Sequence, residues 1–303
     1  MNEQNEVIKN KKKKLLLDRI FVVSMLCIPV VHWLVFWLGV NFNSILMAFQ
    51  IPSGAFTFET MKYMIRSIFM AEDPQMIVAI KNTLIYFLKD TLMIPFQLMI
   101  AYFLYKKIYG RKFFQIMFYL PAIVSGVAIS TMFKELIMPN GPFGLLLQAV
   151  GVENVPLFLS DSRYATGTIL FYSVWLGWGG HMLLFGGALA RIPTEILESA
   201  RIDGITTGKE VVFMIVPLVW PTLSTILILN MTGLFTASGP ILLFTKGAYG
   251  TMTISYWIFD AVAYKGISAY NQVAAGGLIF TMIGAPIVLF VKWLIEKIPT
   301  VEY

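Results

Sequence analysis

The strongest constraint on this chain is the length of its apolar runs. Six of them stand out, at about 20–40, 82–105, 113–133, 164–189, 211–237 and 271–295. A helix of about 20 apolar residues spans the hydrocarbon core of a bilayer. Within that core every backbone N–H and C=O must find a partner inside the protein, and helices achieve this segment by segment. The expected fold is therefore all-α, a polytopic membrane bundle of six transmembrane helices. Composition agrees: 57% of the 303 residues are hydrophobic and 13% are charged, against about 25% charged in soluble domains. Residues 1–18 read as a basic N-terminus, with Lys11, Lys12, Lys13 and Lys14 suited to anionic lipid. Residues 19–303 read as one transmembrane domain. In its connectors, 56–70 suits a short helix at the membrane surface. No clean internal repeat is visible.

The net charge of +6 bears on topology before nucleic acid, for which nothing here argues. With the N-terminus inside, inner segments hold 15 Lys and Arg and outer segments 7, Lys89 lying within a span. The positive-inside rule then places both termini and the 191–210 loop in the cytoplasm. The first apolar run has no small-residue cleavage site after it, so it is read as a retained helix. Cys27 is the lone cysteine, and His32 and His181 the only histidines. No disulfide within the chain, metal site or cofactor site is expected.

Between the fourth and fifth runs lies a short charged segment, Ile192 to Gly204. Thr194 can cap the start of a helix, and Gly204 can supply the left-handed residue that stops it. Glu198 and Arg201 are three apart and can pair on one face. Thr207-x-x-Glu210 then has the form of a capping box for the next helix. Gly204 to Glu210 has a superficial likeness to a phosphate-binding loop. It has three residues between its glycines instead of four, Glu210 stands where a magnesium-binding hydroxyl belongs, and no strand precedes it. Nucleotide binding is not expected.

Glu198-Ser199-Ala200-x-x-Asp203-Gly204, with Pro217 thirteen positions after the glycine, resembles the EAA loop of permease subunits of bacterial ABC importers. That pattern reads E-A-A-x-x-D-G-A, then a spacer and a proline. Ser199, Ile205 and Val211 depart from it. Ile192-Pro193 before the loop is similar to the carbohydrate branch, as are Asn82-Thr83, Phe113-Phe114, Pro121-x-x-x-Ser125 and Gly141 to Leu146. Thr245 to Tyr249 lacks the second Gly and the Pro of the common Thr-x-Gly-Gly-Pro. The resemblance covers most of 82–297. It implies a type I importer permease of the maltose-permease kind in a bacterial cytoplasmic membrane. Implied partners are two copies of an ATPase subunit, a second permease and an extracytoplasmic solute-binding protein, all in a lipid setting. By the same resemblance Glu198, Ser199, Ala200, Asp203, Gly204 and Pro217 couple to the ATPase. Glu198 would be an interface carboxylate, Ala200 a small residue for close approach, and Asp203 a support for the turn.

A translocation path needs polar or aromatic groups facing the bundle. Phe171, Trp175, Trp178 and Met182 fall on one face of a continuous helix. Trp175 is too deep for the interfacial aromatic belt, so it either stacks on a sugar or packs on a helix. Asn230 shares a face with Gly233 and Ala237, and either bonds a neighbouring helix or reaches substrate. Lys89 and Asp90 point about 100° apart and are expected to pair with other helices. Gly277, Thr281 and Ala285 form a small-residue face assigned to subunit packing. Sparse intramembrane charge favours a neutral sugar, with an amino acid, polyamine or phosphate as the alternative solute. A membrane-embedded enzyme would need clustered His and carboxylates. A secondary transporter would show inverted repeats or broken midplane helices. Neither signature is clear.

Overall fold

The computed structural model describes residues 2–301. Among them there is no strand, only one isolated antiparallel bridge between Gln50 and Phe56. The chain opens with α1 (Asn2–His32), a π-helical stretch at Trp33–Gly39 and α2 (Val40–Ala48). Next come α3 (Glu59–Phe69), α4 (Pro74–Tyr105), α5 (Arg111–Ile123), α6 (Gly126–Ile137) and α7 (Pro142–Ala149). The third quarter holds α8 (Ala165–Gly177), α9 (Met182–Leu189) and α10 (Thr194–Ile202), then α11 (Thr207–Glu210) and α12 (Val216–Leu218). The chain continues through α13 (Trp220–Thr232), α14 (Ile241–Phe244), α15 (Ile254–Asp260) and α16 (Ile267–Glu296). Among the described residues, four helical stretches are long and apolar enough to span a membrane, and up to six spans result if two sharply bent pairs each count as one.

The bends have local causes. The pair Thr207–Leu218 and Trp220–Thr232 turns through 77°. Pro217 and Pro221 each lack the N–H that an α-helix needs, four residues apart. The backbone answers with a π-helical stretch at Val211–Ile215 just before Pro217. Pro121 lies near the end of α5, where a second pair turns through 99°. The second span starts two turns earlier than its apolar run, because Asp73 accepts from Gln75 N at 2.9 Å and Pro74 takes the first helical position. Asn82 and Thr83 therefore lie inside α4, buried. Asn82 Nδ2 donates to the carbonyls of Gly250 and Met252 at 2.8 Å, and Thr83 Oγ1 accepts from Ile254 N at 2.9 Å. These bonds fix the loop before α15 to the middle of the second span.

Three cores hold the bundle. One joins α4 to α9, α10 and the start of the fifth span through Leu98, Tyr102, Leu189, Ile192, Leu197 and Leu218. A second, toward the other end, gathers Tyr86, Phe133, Tyr172 and Phe244. The third packs α16 on α2 and α3 around Met64, Trp257 and Ala275. The first span stands apart: none of its most apolar window is buried within the chain. The face of α16 that meets its neighbours carries Ala275, Gly276, Ile279 and Gly284, where a Cβ on Gly284 would sit 3.2 Å from the Phe235 ring. Gly277 meets nothing within 4 Å and Thr281 is exposed, so that small-residue face is open to lipid or another subunit.

Candidate functional site

Outside the membrane-length helices, α10 forms a nine-residue projection. It is amphipathic. Leu197 and Ala200 are buried, at 4% and 8% exposure, while Glu198, Ser199 and Asp203 face outward and Ile202 is 86% exposed. Gly204 ends the helix in the left-handed region, with φ of 74°. Ile205 N donates to Ala200 O at 3.2 Å, the bond that closes a Schellman turn. Two local expectations need correction. Thr194 is the first helical residue and not the residue before it. Thr206, not Thr207, flanks the start of α11, and its side chain makes no cap bond. The Glu198–Arg201 pairing involves a side chain outside the described residues. Ala200 turns toward the body of this chain, so the close approach it permits is that of α10 to its own support.

Glu210 is the larger surprise. Its carboxylate accepts from Lys106 Nζ at 2.6 Å instead of capping α11. The Glu210 side chain is 2% exposed and that of Lys106 20%. The ammonium stands 4.9 Å from the centre of the Tyr102 ring. Burial works to lower the pKa of Lys106, but the Glu210 carboxylate and the Tyr102 hydroxyl beside it hold it above the usual lysine value.

A second feature is an open cleft of about 330 Å³ between α4, α6, α8 and the segment running into α14. Lys89, Ser130, Tyr172, Ser173 and Ser238 bring polar groups to its wall. Ser130 Oγ and Tyr172 Oη lie 2.9 Å apart, and Ser238 Oγ is 2.9 Å from Thr253 Oγ1. Gly239 is required here, since a Cβ would fall 2.9 Å from both Tyr86 Oη and Ile169. Lys89 pairs with Asp90 beside it and not with another helix, contrary to the sequence expectation. Side chains one position apart diverge at their roots, but the long Lys89 stem folds back to meet its neighbour.

The fourth span, Ala165–Leu189, is one membrane-length stretch, interrupted by turn residues at Trp178–His181 between α8 and α9, and the four residues expected on one face meet different surroundings. Met182 is buried at 1% exposure, whereas Phe171 and Trp175 are 66% and 40% exposed. The Trp175 ring lies 6.2 Å from Phe133, and Trp178 makes an edge contact with Phe96 at 6.3 Å. Asn230 Nδ2 donates to Thr91 Oγ1 of α4 at 2.7 Å. Gly233 and Ala237 fall beyond the end of α13, so the face they were expected to share with Asn230 does not form. Neither tryptophan nor Asn230 lines the cavity. His181 Nδ1 is 2.7 Å from Gln97 Oε1, and Gln97 Nε2 donates to Gly177 O at 2.6 Å, which ties the break to α4. The signal missed in the sequence was the set of isolated hydroxyls inside apolar runs: Ser130, Tyr172 and Ser173.

Comparison with known proteins agrees with this geometry. Residues 76–298 match the family described as the binding-protein-dependent transport system inner membrane component. The lactose transport system permease protein LacF of Rhizobium radiobacter is 27% identical over 220 residues, covering 70% of this chain and 74% of that protein. The multiple sugar-binding transport system permease protein MsmF of Streptococcus mutans is 30% identical over 201 residues, covering 64% and 67%. The fold is shared with a chain of a bacterial ABC transporter involved in the import of the acidic polysaccharide alginate. There the TM-score is 0.77 at 23% identity, over 95% of this chain and 100% of that one. With the alginate transporter in complex with a pentasaccharide-bound periplasmic protein the TM-score is 0.73, at 23% identity over 90% and 93%. An all-helical bundle of membrane-spanning length, a broken fifth span after a Schellman-capped loop helix, and a family match over most of its length make this chain a member of the binding-protein-dependent inner membrane transport component family, a multi-pass permease.

Proposed function

We propose that this chain is the permease subunit of an ATP-driven sugar importer, contributing half of the translocation path. The carrying observation is α10. A short helix with Leu197 and Ala200 buried inward and Glu198 and Ile202 turned outward suits a cleft on a partner, here an ATPase subunit present in two copies. Glu198 serves as the interface carboxylate with Ser199 beside it, Asp203 and Gly204 shape the turn, and Pro217 sets the bend into the fifth span. The names of the relatives point to sugars, and a largely apolar wall with a few hydroxyls and the Lys89 ammonium suits the apolar faces and hydroxyl edges of a sugar ring. Trp175, with Phe171 one turn before it, both exposed, is proposed to complete the path with Trp178 and Asn230 as supports. An unburied first span and the open small-residue face of α16 support a second, homologous permease subunit. An extracytoplasmic solute-binding protein delivers the sugar. The Lys and Arg distribution favours both termini and α10 on the cytoplasmic side. A second reading, an anionic solute, has Lys89 at the cavity wall in its favour. Competition of uptake by neutral and uronate-containing oligosaccharides separates the two.

The purified chain alone is expected to hydrolyse no ATP, and hydrolysis should begin once an ABC ATPase subunit is added. Turnover by the isolated chain would overturn the assignment. At the cavity, Lys89→Met removes a charged hydrogen-bond donor, an interaction that typically contributes about 1.5–3 kcal/mol. Uptake by assembled complexes should fall on the order of ten- to a hundredfold. Unchanged uptake would move the path away from this wall.

A further inference from the structure

The covalent chain explains how motion at α10 reaches the fourth and fifth spans, because α9 and α11 adjoin it directly. It does not explain how the second span follows. Lys106 at the end of α4 and Glu210 in α11 are 104 positions apart. Deeper in the bundle Gln97 bonds Gly177 O and His181, and Thr91 accepts from Asn230; at the level of the loop the contacts are of two kinds. Apolar side chains such as Leu98, Leu189 and Leu197 share a core, and apolar contact is non-directional, so such surfaces slide. The Lys106–Glu210 ion pair is directional, short and nearly sealed from water. Opening it would leave a carboxylate uncompensated in a dry core. Around it Glu210 Oε1 and Tyr102 Oη are buried with no hydrogen-bond partner, so Lys106 carries the one hydrogen bond and the one opposite charge that this carboxylate meets among the described residues. From this clasp, α4 runs as one helix, with Pro95 inside it, to Lys89 at the cavity wall, a lever of about 25 Å at 1.5 Å per residue.

We propose that Lys106 and Glu210 are positioning residues that clasp the second span to the coupling loop, so that displacement of α10 moves α4 and with it one wall of the cavity. This rests on the functional reading above. Neither residue touches solute, and neither belongs to the motif through which the loop is recognised.

The test uses the complete transporter, reconstituted with its ATPase subunits and binding protein. Two quantities are read: complex assembled, and solute moved per ATP hydrolysed. Parent uptake driven by ATP is the control, and its absence overturns the functional reading and the clasp with it. Glu210→Gln and Lys106→Met should each assemble and hydrolyse ATP. Solute moved per ATP should drop at least about fivefold, the lower end of ordinary coupling between sites. The reversed pair, Lys106→Glu with Glu210→Lys, should restore the ratio to near the parent value. A parent-like ratio in both single variants would dismiss the clasp. So would a loss that the reversed pair does not repair, since that marks a purely structural role. If the single variants fail to assemble, Lys106→Cys with Glu210→Cys decides. A short thiol-reactive bridge between them should leave uptake intact if the two helices move together. Arrest of transport on bridging, and recovery on reduction, would overturn the proposal.

Discussion

Valine at position 204 is expected to abolish uptake while leaving the chain in the membrane. Gly204 has φ of 74°, and nothing within 4 Å would obstruct an added Cβ. The penalty is therefore wholly in the backbone. A left-handed residue with a Cβ costs roughly 1–2 kcal/mol, and β-branching stiffens it further. The turn escapes that strain by leaving the left-handed region, which breaks the Ile205 N to Ala200 O bond and frays the last turn of α10. Ile202 and Asp203 then lose their fixed direction. Because the residue is exposed and belongs to none of the three cores, assembly of the bundle should persist. Glu198→Lys is expected to reach the same end by another route, reversing a charge on the outward face without touching the backbone. The measurement is transport in vesicles, with co-purification of the ATPase subunit. Normal uptake by both variants at normal expression would remove α10 from the mechanism.

Gly179→Ala is expected to destabilise the bundle strongly, although it adds one methyl group. The break between α8 and α9 rests on the backbone of α5, and an added Cβ would lie 2.3 Å from the carbonyl oxygen of Phe118. That neighbour is main chain within a helix and cannot rotate away. Overpacking usually costs about 1–3 kcal/mol when side chains can adjust, and a rigid obstacle places this case at or above the upper end. Against a typical total stability of about 5–15 kcal/mol, yield of monodisperse protein should fall several-fold and its thermal transition should drop. Gly186→Ala is the matching control, since an added Cβ there meets nothing within 4 Å. Equal yields from the two variants would mean that the break is looser than its geometry indicates.

What the sequence determined by itself is what contiguous residues determine. Apolar runs of bilayer length determined an all-helical membrane chain of four to six spans, because an unpaired backbone in lipid costs too much for any other local choice. Gly204 could be read as a helix stop because no other residue adopts its φ as freely. The Glu198 to Gly204 pattern was legible for the same reason, lying on one short exposed helix. Tertiary structure decided everything that depends on partners distant in the chain. Lys106 read as a topology signal and Glu210 as a cap, and both readings were chemically sound. Packing brought α4 against α11 and made them an ion pair instead. Trp175 and Met182 share a face by spacing but meet different surroundings, and the main-chain contact of Gly179 with α5 attends the interruption between them. The cavity wall draws residues from positions 89 to 243, a set with no spacing to detect. A polar side chain has several possible partners, and local sequence cannot rank them. The choice is made by which helices the cores press together.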